Sequence, residues 1–312
     1  IEAWWAARVN DYFSAQPFTL KYDTSKSLRA MVRDRLGQGF KRQKENPGTM
    51  YAGAFSGFAV AWATGSPLLG LLAAIVIGVL AGAVMALMTV TFGANQHVSG
   101  IGLTIGLIGL SEFANRLIFQ GGELQRIQPM PVVNPLADAG PLGGIFDQYG
   151  LTWVAFLVVV PAAWWVLQRS SFGLEIRAVG ENPEAADAAG VNVARTRYLA
   201  LIIGGALMAI GGAFFTLALL GSFTLDIIAG RGWVCVALVI FGRWRIGRGV
   251  IGALLFSLIF SLQFRLRILP EFAALPFELL LALPYLVIIG ALALSGRNVA
   301  YPGAYLKPYR RS

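Results

Sequence analysis

The sequence holds a single cysteine, Cys235, and a single histidine, His97, in 312 residues. One thiol cannot close an internal disulfide, and one imidazole beside one thiolate falls short of a tetrahedral metal site, so no metal ligands are expected. Charge is scarce as well: 13% of residues are Asp, Glu, Lys or Arg, against about 25% in soluble domains. No G-x-x-x-x-G-K-[ST] run is present, so the chain has no P-loop for ATP. No Ser-His-Asp, paired-carboxylate or Cys/His arrangement stands out either, which leaves no catalytic residue, no cofactor and little support for an intramembrane enzyme.

Apolar residues fill the chain instead. They make up 56% of it, with a mean hydropathy of +0.65, the balance of an integral membrane protein. The net charge of +9 then reads as cytoplasmic loops facing anionic lipid rather than as a nucleic-acid surface. Crossing the hydrocarbon core takes about 20 mostly apolar residues as a helix. Residues 68–91, 98–119, 151–168, 198–220 and 276–294 meet that requirement, while 51–66, 233–241 and 250–263 are too short or too Gly-rich and read as broken or re-entrant helices. The expected fold is all-α: a polytopic integral membrane protein of about eight segments, with inverted repeats.

Arg and Lys sort the loops by side. The loop 169–197 carries Arg169, Arg177, Arg195 and Arg197; 243–248 carries Arg243, Arg245 and Arg248; and the tail 297–312 carries Arg297, Lys307, Arg310 and Arg311. These three share the cytoplasmic side, which puts 120–150 and 221–232 outside, with only Arg265 and Arg267 against the rule. The outer loop, rich in Pro and Gly, reads as an irregular spacer or a docking surface. Three regions result: an atypical polar, amphipathic segment 1–46, either cytoplasmic or misjoined; a membrane domain 47–296; and a basic cytoplasmic tail 297–312.

Within the membrane domain, Gly53/Gly57, Gly78/Gly82 and Gly102/Gly106 have the G-x-x-x-G spacing that lets helix backbones approach in lipid. Glu112 and Arg116, four apart, are expected to pair structurally near the outer interface, with a substrate or proton role as the alternative. There is no ladder of buried carboxylates of the kind proton coupling needs. Asn95, Gln96 and Ser99, with Phe223, Thr224 and Trp233, are candidate lining for a neutral solute's path, since amides, hydroxyls and rings bind without fixed charge. The competing reading of Asn95 is a helix cap, and of Phe223 lipid packing.

The polar stretch GENPEAADAAGVNV, Gly180 to Val193, interrupts this apolar chain. Asn182 suits an N-cap, Pro183 the first helical position, Glu184 the positive helix start and Gly190 a left-handed C-terminus. A helix over 183–189 follows, its alanines offering a smooth side rimmed by Glu184 and Asp187. The longer string FGLEIRAVGENPEAADAAGVNVARTRYLALIIGGALMAIGGAFF, Phe172 to Phe215, resembles the cytoplasmic loop and next helix of bacterial ABC importer permeases of the branched-chain amino acid and simple-sugar or nucleoside group. ANQHVSGIGLTIGLIGL, RGWVCVALVIFGRWRIGRGVIGALLF and PFELLLALPYLVIIGALAL are more similar to the sugar and nucleoside branch. NPGTMYAGAF, 46–55, keeps only the outline of the family's pattern there.

That resemblance implies a multi-pass permease of the bacterial inner membrane, with the C-terminus cytoplasmic. It implies a coupling helix that inserts into an ATPase subunit, with matching residues at Gly180, Glu181, Asn182, Ala185, Ala186, Gly190 and Val191 and with Glu184 and Asp187 beside them. It implies as partners an ATPase pair, a second permease subunit, identical or different, and an extracytoplasmic solute-binding protein. The solute is a simple sugar or nucleoside; a branched-chain amino acid permease, an ion- or proton-coupled secondary transporter and a membrane scaffold are the alternatives.

Overall fold

The computed structural model describes residues 48–119, 125–134, 147–225, 227–228, 231–268, 282–287, 289–290, 303–304 and 309. Its elements are helices, apart from one two-residue antiparallel ladder, β1 (Val132–Val133) with β2 (Gln148–Tyr149). In chain order the helices are α1 (Gly48–Thr64), α2 (Pro67–Ala86), α3 (Gln96–Ile118), α4 (Gly150–Arg169), α5 (Ser171–Glu181), α6 (Pro183–Ala188), α7 (Val193–Phe214), α8 (Arg231–Phe241) and α9 (Ile246–Ile268). A π-helical turn extends α2 over Leu87–Thr91 and another extends α7 over Phe215–Leu220, while a third sits inside α4 at Ala155–Val159.

Among the described residues, five stretches are long and apolar enough to cross a membrane: Pro67–Thr91, Gln96–Ile118, Gly150–Arg169, Val193–Leu220 and Ile246–Gln263. Four correspond to spans expected from hydropathy. The fifth corrects the expectation that 250–263 is a short or broken piece, because its helix starts earlier, at Ile246, and runs to Ile268 through residues whose charge ended the apolar run. Residues 276–294 lie largely outside the described residues; 282–287 and 289–290 are helical. α1, at 17 residues, and α8, at 11, are short as expected. Large apolar side chains on the outer faces, such as Leu68, Val98, Leu157 and Leu258, are exposed, the arrangement of a bundle whose solvent is hydrocarbon.

α1, α2 and α7 form the tightest part. A Cβ placed on Gly78 would fall 2.5 Å from the Gly205 carbonyl oxygen, and one on Gly82 2.5 Å from that of Leu201, so the backbones of α2 and α7 touch. These contacts also fix direction, since rising numbers on α2 meet falling numbers on α7. Gly53 faces Ala209 and Gly57 faces Ala213, so α1 runs parallel to α7 in the same slab. Gly102 and Gly106 behave differently. Among the described residues nothing lies within 4 Å of where their side chains would be, and the third G-x-x-x-G pair makes no packing contact with them. α3 meets α1 and α2 through its other face, leaving the glycines outward.

α1 begins part-way along α3: a Cβ on Gly48 would meet the Thr104 Cα at 2.5 Å. From there it runs toward the end of the bundle that carries the described part, 125–134, of the loop 120–150. There the Trp62 indole N–H donates to Gln125 Oε1 at 3.1 Å. The loop is not a loose spacer along 126–130, since the Ile127 amide donates to the Gly221 carbonyl at 2.8 Å and the Met130 amide to that of Leu217 at 2.8 Å. Between these attachments Tyr51, Phe55, Phe58 and Phe223 form an aromatic core, with Phe223 5.4 Å from the Tyr51 ring and 5.3 Å from that of Phe55.

Among the described residues Glu112 and Arg116 make no ion pair. Arg116 is exposed in the last turn of α3, and an i, i+4 pair contributes only about 0.2–0.5 kcal/mol, too little to hold two side chains that solvent can reach.

Candidate coupling surface

α4 turns sharply into α5. The Ser170 hydroxyl oxygen accepts from the Gly173 amide at 3.0 Å, capping α5. A side chain at Gly173 would strike the backbone of Val166 and Leu167, so the corner requires glycine. At the far end of α5, one residue serves two helices. The Asn182 amide donates to the Ala178 carbonyl at 2.9 Å, closing α5, while its Oδ1 accepts from the Ala185 amide at 3.1 Å, opening α6. Pro183 follows at the first helical position.

α6 ends in a Schellman arrangement. The Gly190 amide donates to the Asp187 carbonyl at 2.9 Å and the Val191 amide to that of Ala186 at 3.0 Å, with Gly190 at φ +87°. Asn192 then caps α7, its Oδ1 accepting from the Arg195 amide at 3.0 Å. The expected helix over 183–189 is therefore present as Pro183–Ala188, one residue shorter, with the expected caps.

One alanine departs from the smooth outer side that composition suggested. Ala186 is 4% exposed and packs with Val179 and Val193 inside the chain. Asp187, read from sequence as a rim residue, is half-buried and its Oδ2 accepts from the Tyr309 hydroxyl at 3.1 Å. The outward surface consists of Glu181, Asn182, Glu184, Ala185, Ala188, Ala189 and Gly190, while Gly180 is half-buried behind it. A further link that sequence alone does not reveal joins the base of this surface to the membrane domain: the buried Thr196 hydroxyl on α7 shares its proton between the Asn192 carbonyl at 3.0 Å and Glu175 Oε2 on α5 at 3.3 Å.

A cavity of about 250 Å³ lies behind α5, lined by Thr89, Gln96, Gly180, Thr196, Arg197 and Ala304 among others. Of the six solute-path candidates, Gln96 alone lines it. Asn95 is engaged as the cap of α3, its Oδ1 accepting from the His97 amide at 3.0 Å and the Val98 amide at 3.3 Å, and Ser99 is buried. Phe223 sits in the aromatic core at the opposite end, next to Phe58 and, through it, Phe119 at the end of α3. The two groups are separated by most of the length of α3, roughly 35 Å for 23 residues. They do not form one site. Thr224 is exposed; the backbone of Trp233 lies in α8, and its side chain is outside the described residues.

A family model described as branched-chain amino acid transport system / permease component matches residues 47–292. TsgC13 of Haloferax volcanii, a permease assigned to glucose ABC transport, is 40% identical over 225 residues, 70% of this chain and 67% of that one. The nucleoside ABC transporter permease protein NupC of Lactococcus lactis is 35% identical over 260 residues, 79% of this chain and 81% of its own. The guanosine ABC transporter permease protein NupQ of Bacillus subtilis is 33% identical over 261 residues, 80% and 81% of the two chains. No solved structure matches.

Proposed function

The chain belongs to the permease family described as branched-chain amino acid transport system / permease component, and on that premise we propose that it forms part of the membrane pore of an ATP-driven importer for a sugar or nucleoside. It spans the bacterial inner membrane several times, with α5, α6 and the C-terminus in the cytoplasm, and has no ATPase site of its own. The family description names branched-chain amino acids, but the similar permeases named above are assigned to glucose, nucleoside and guanosine transport, and this favours a neutral hydroxylated solute.

One observation carries the mechanism: α6 is a doubly capped helix with an alanine-rich outer face and a fixed back. Its outer residues Ala185, Ala188 and Ala189 leave room for a partner's side chains, and Glu181 and Glu184 add charge at its start. Its inner residue Ala186 meets Val179 and Val193, and Thr196 ties α5 to α7. A push on α6 therefore reaches α7 through packed and hydrogen-bonded contacts, and α7 is in backbone contact with α2. An ATPase pair that closes on ATP supplies the push, a second permease subunit of the same or a different kind completes the pore, and a binding protein delivers solute at the end where the outer loop is held.

The test uses the exposed alanines. Ala185→Trp and Ala188→Trp are expected to abolish co-purification of the ATPase and uptake of labelled guanosine or glucose, while membrane insertion and melting temperature stay as in wild type. Normal ATPase retention in both variants refutes α6 as the coupling helix; uptake of leucine in preference to guanosine and glucose refutes the solute class.

A further inference from the structure

Residues close to the C-terminus touch the coupling surface at three places. The Ala304 amide donates to the Gly180 carbonyl at 3.0 Å, at the last turn of α5. Gly303 lies so close to the same turn that a Cβ there would fall 2.5 Å from the Glu181 carbonyl oxygen. Tyr309 reaches the next helix: its hydroxyl donates to Asp187 Oδ2 on α6 at 3.1 Å, and its ring packs on the cluster of Val179, Ala186 and Val193.

We propose that these residues are a clasp that fixes α6 against α5, with Tyr309 as a positioning residue for coupling. The elbow at Asn182 joins two helices through a single residue; the caps hold each helix, and apart from them the small contact of Ala186 with Val179 bears on the angle between the two. Ala304 and Gly303 attach to α5, whereas Tyr309 attaches to α6, so one short stretch of chain bridges the elbow. A hydrogen bond from a hydroxyl to a carboxylate is stronger than one between neutral groups, and the ring supplies apolar contact beneath it. The orientation of α6 toward the ATPase is thereby set from inside this chain before any partner binds. The proposal rests on the reading of α6 as the coupling helix.

Two measurements on the full chain test the clasp and that reading separately. Hydrogen exchange of the permease alone in nanodiscs reports the clasp without any ATPase. Tyr309→Phe, which keeps the ring and removes the hydroxyl, is expected to raise amide exchange across 183–190 about tenfold, the effect of losing one hydrogen bond to a charged acceptor. Tyr309→Ala is expected to raise it further, and Gly303→Val to raise it across 178–182. Unchanged exchange in Tyr309→Phe and Gly303→Val overturns the clasp, and because Tyr309→Phe leaves the packing intact, misfolding of Tyr309→Ala would not spare it.

In proteoliposomes with ATPase and binding protein, Tyr309→Phe is expected to keep the ATPase bound and to lower solute delivered per ATP hydrolysed about threefold. A purely structural tail would lower yield and leave that ratio alone, so an unchanged ratio overturns the positioning role. Failure of the wild-type chain to retain the ATPase overturns the coupling reading itself, while the exchange arm still decides whether the clasp exists.

Discussion

At the scale of single residues, the surface formed by α5 and α6 depends on a few positions where only one side chain fits. Gly190 is in the left-handed region, which costs other residues about 1–2 kcal/mol. Gly190→Ala should accordingly melt a few degrees below wild type, with insertion retained. Gly173→Ala should be far worse, because the obstacle is backbone, that of Val166 and Leu167, rather than a side chain that can move. Its expected outcome is loss of monodisperse protein on size exclusion. Asn182→Ala removes the cap of α6, at a cost of about 1 kcal/mol. Caps of this kind were readable from sequence because a cap acts on amides two or three residues away. Glu175 with Thr196 and Asp187 with Tyr309 were not, since each pair is created by the fold across 21 and 122 residues.

At the scale of helices, spacing announced close packing but not which faces would use it. Gly78/Gly82 and Gly53/Gly57 are buried crossings, whereas Gly102/Gly106 has the same spacing and faces outward. The pattern is a property of one helix; the contact belongs to two. Gly78→Leu and Gly205→Leu are expected to lower thermal stability strongly, because a side chain there meets carbonyl oxygen, and overpacking costs about 1–3 kcal/mol or more. Gly106→Ala should leave the melting temperature of the isolated chain within a degree or two. Equal losses at Gly78 and Gly106 would contradict the packing described. Hydropathy likewise located α2, α3, α4 and α7 but cut α9 short, because charge at a helix end stops an apolar run without stopping the helix.

At the scale of the molecule, the antiparallel contact of α2 with α7 puts the loop before α3 and the α5–α6 surface at one end, where Thr91 and Tyr198 share a hydrogen bond, and the aromatic core with the attached residues 126–130 at the other. Sidedness can be measured directly. In a Cys235→Ser background, Glu184→Cys should react with an impermeant maleimide only from the cytoplasmic face and Thr224→Cys only from the outside; both residues are exposed. Labelling of both from one face would reverse the arrangement. The solute-path candidates divide between the two ends, Asn95, Gln96 and Ser99 at one and Phe223 and Thr224 at the other, since residue type in a membrane chain carries no information on depth.

The backbone contacts between α2 and α7 bear on how such a molecule can move. Helices separated by interlocking side chains can shear by small rotamer changes, but at Gly78 and Gly82 no side-chain layer lies between the strands of peptide. Sliding there would drive carbonyl oxygens over neighbouring Cα atoms, so α1, α2 and α7 must tilt together as a single block. Displacement then collects where that block meets the rest of the chain, as at the turn 92–95 between α2 and α3.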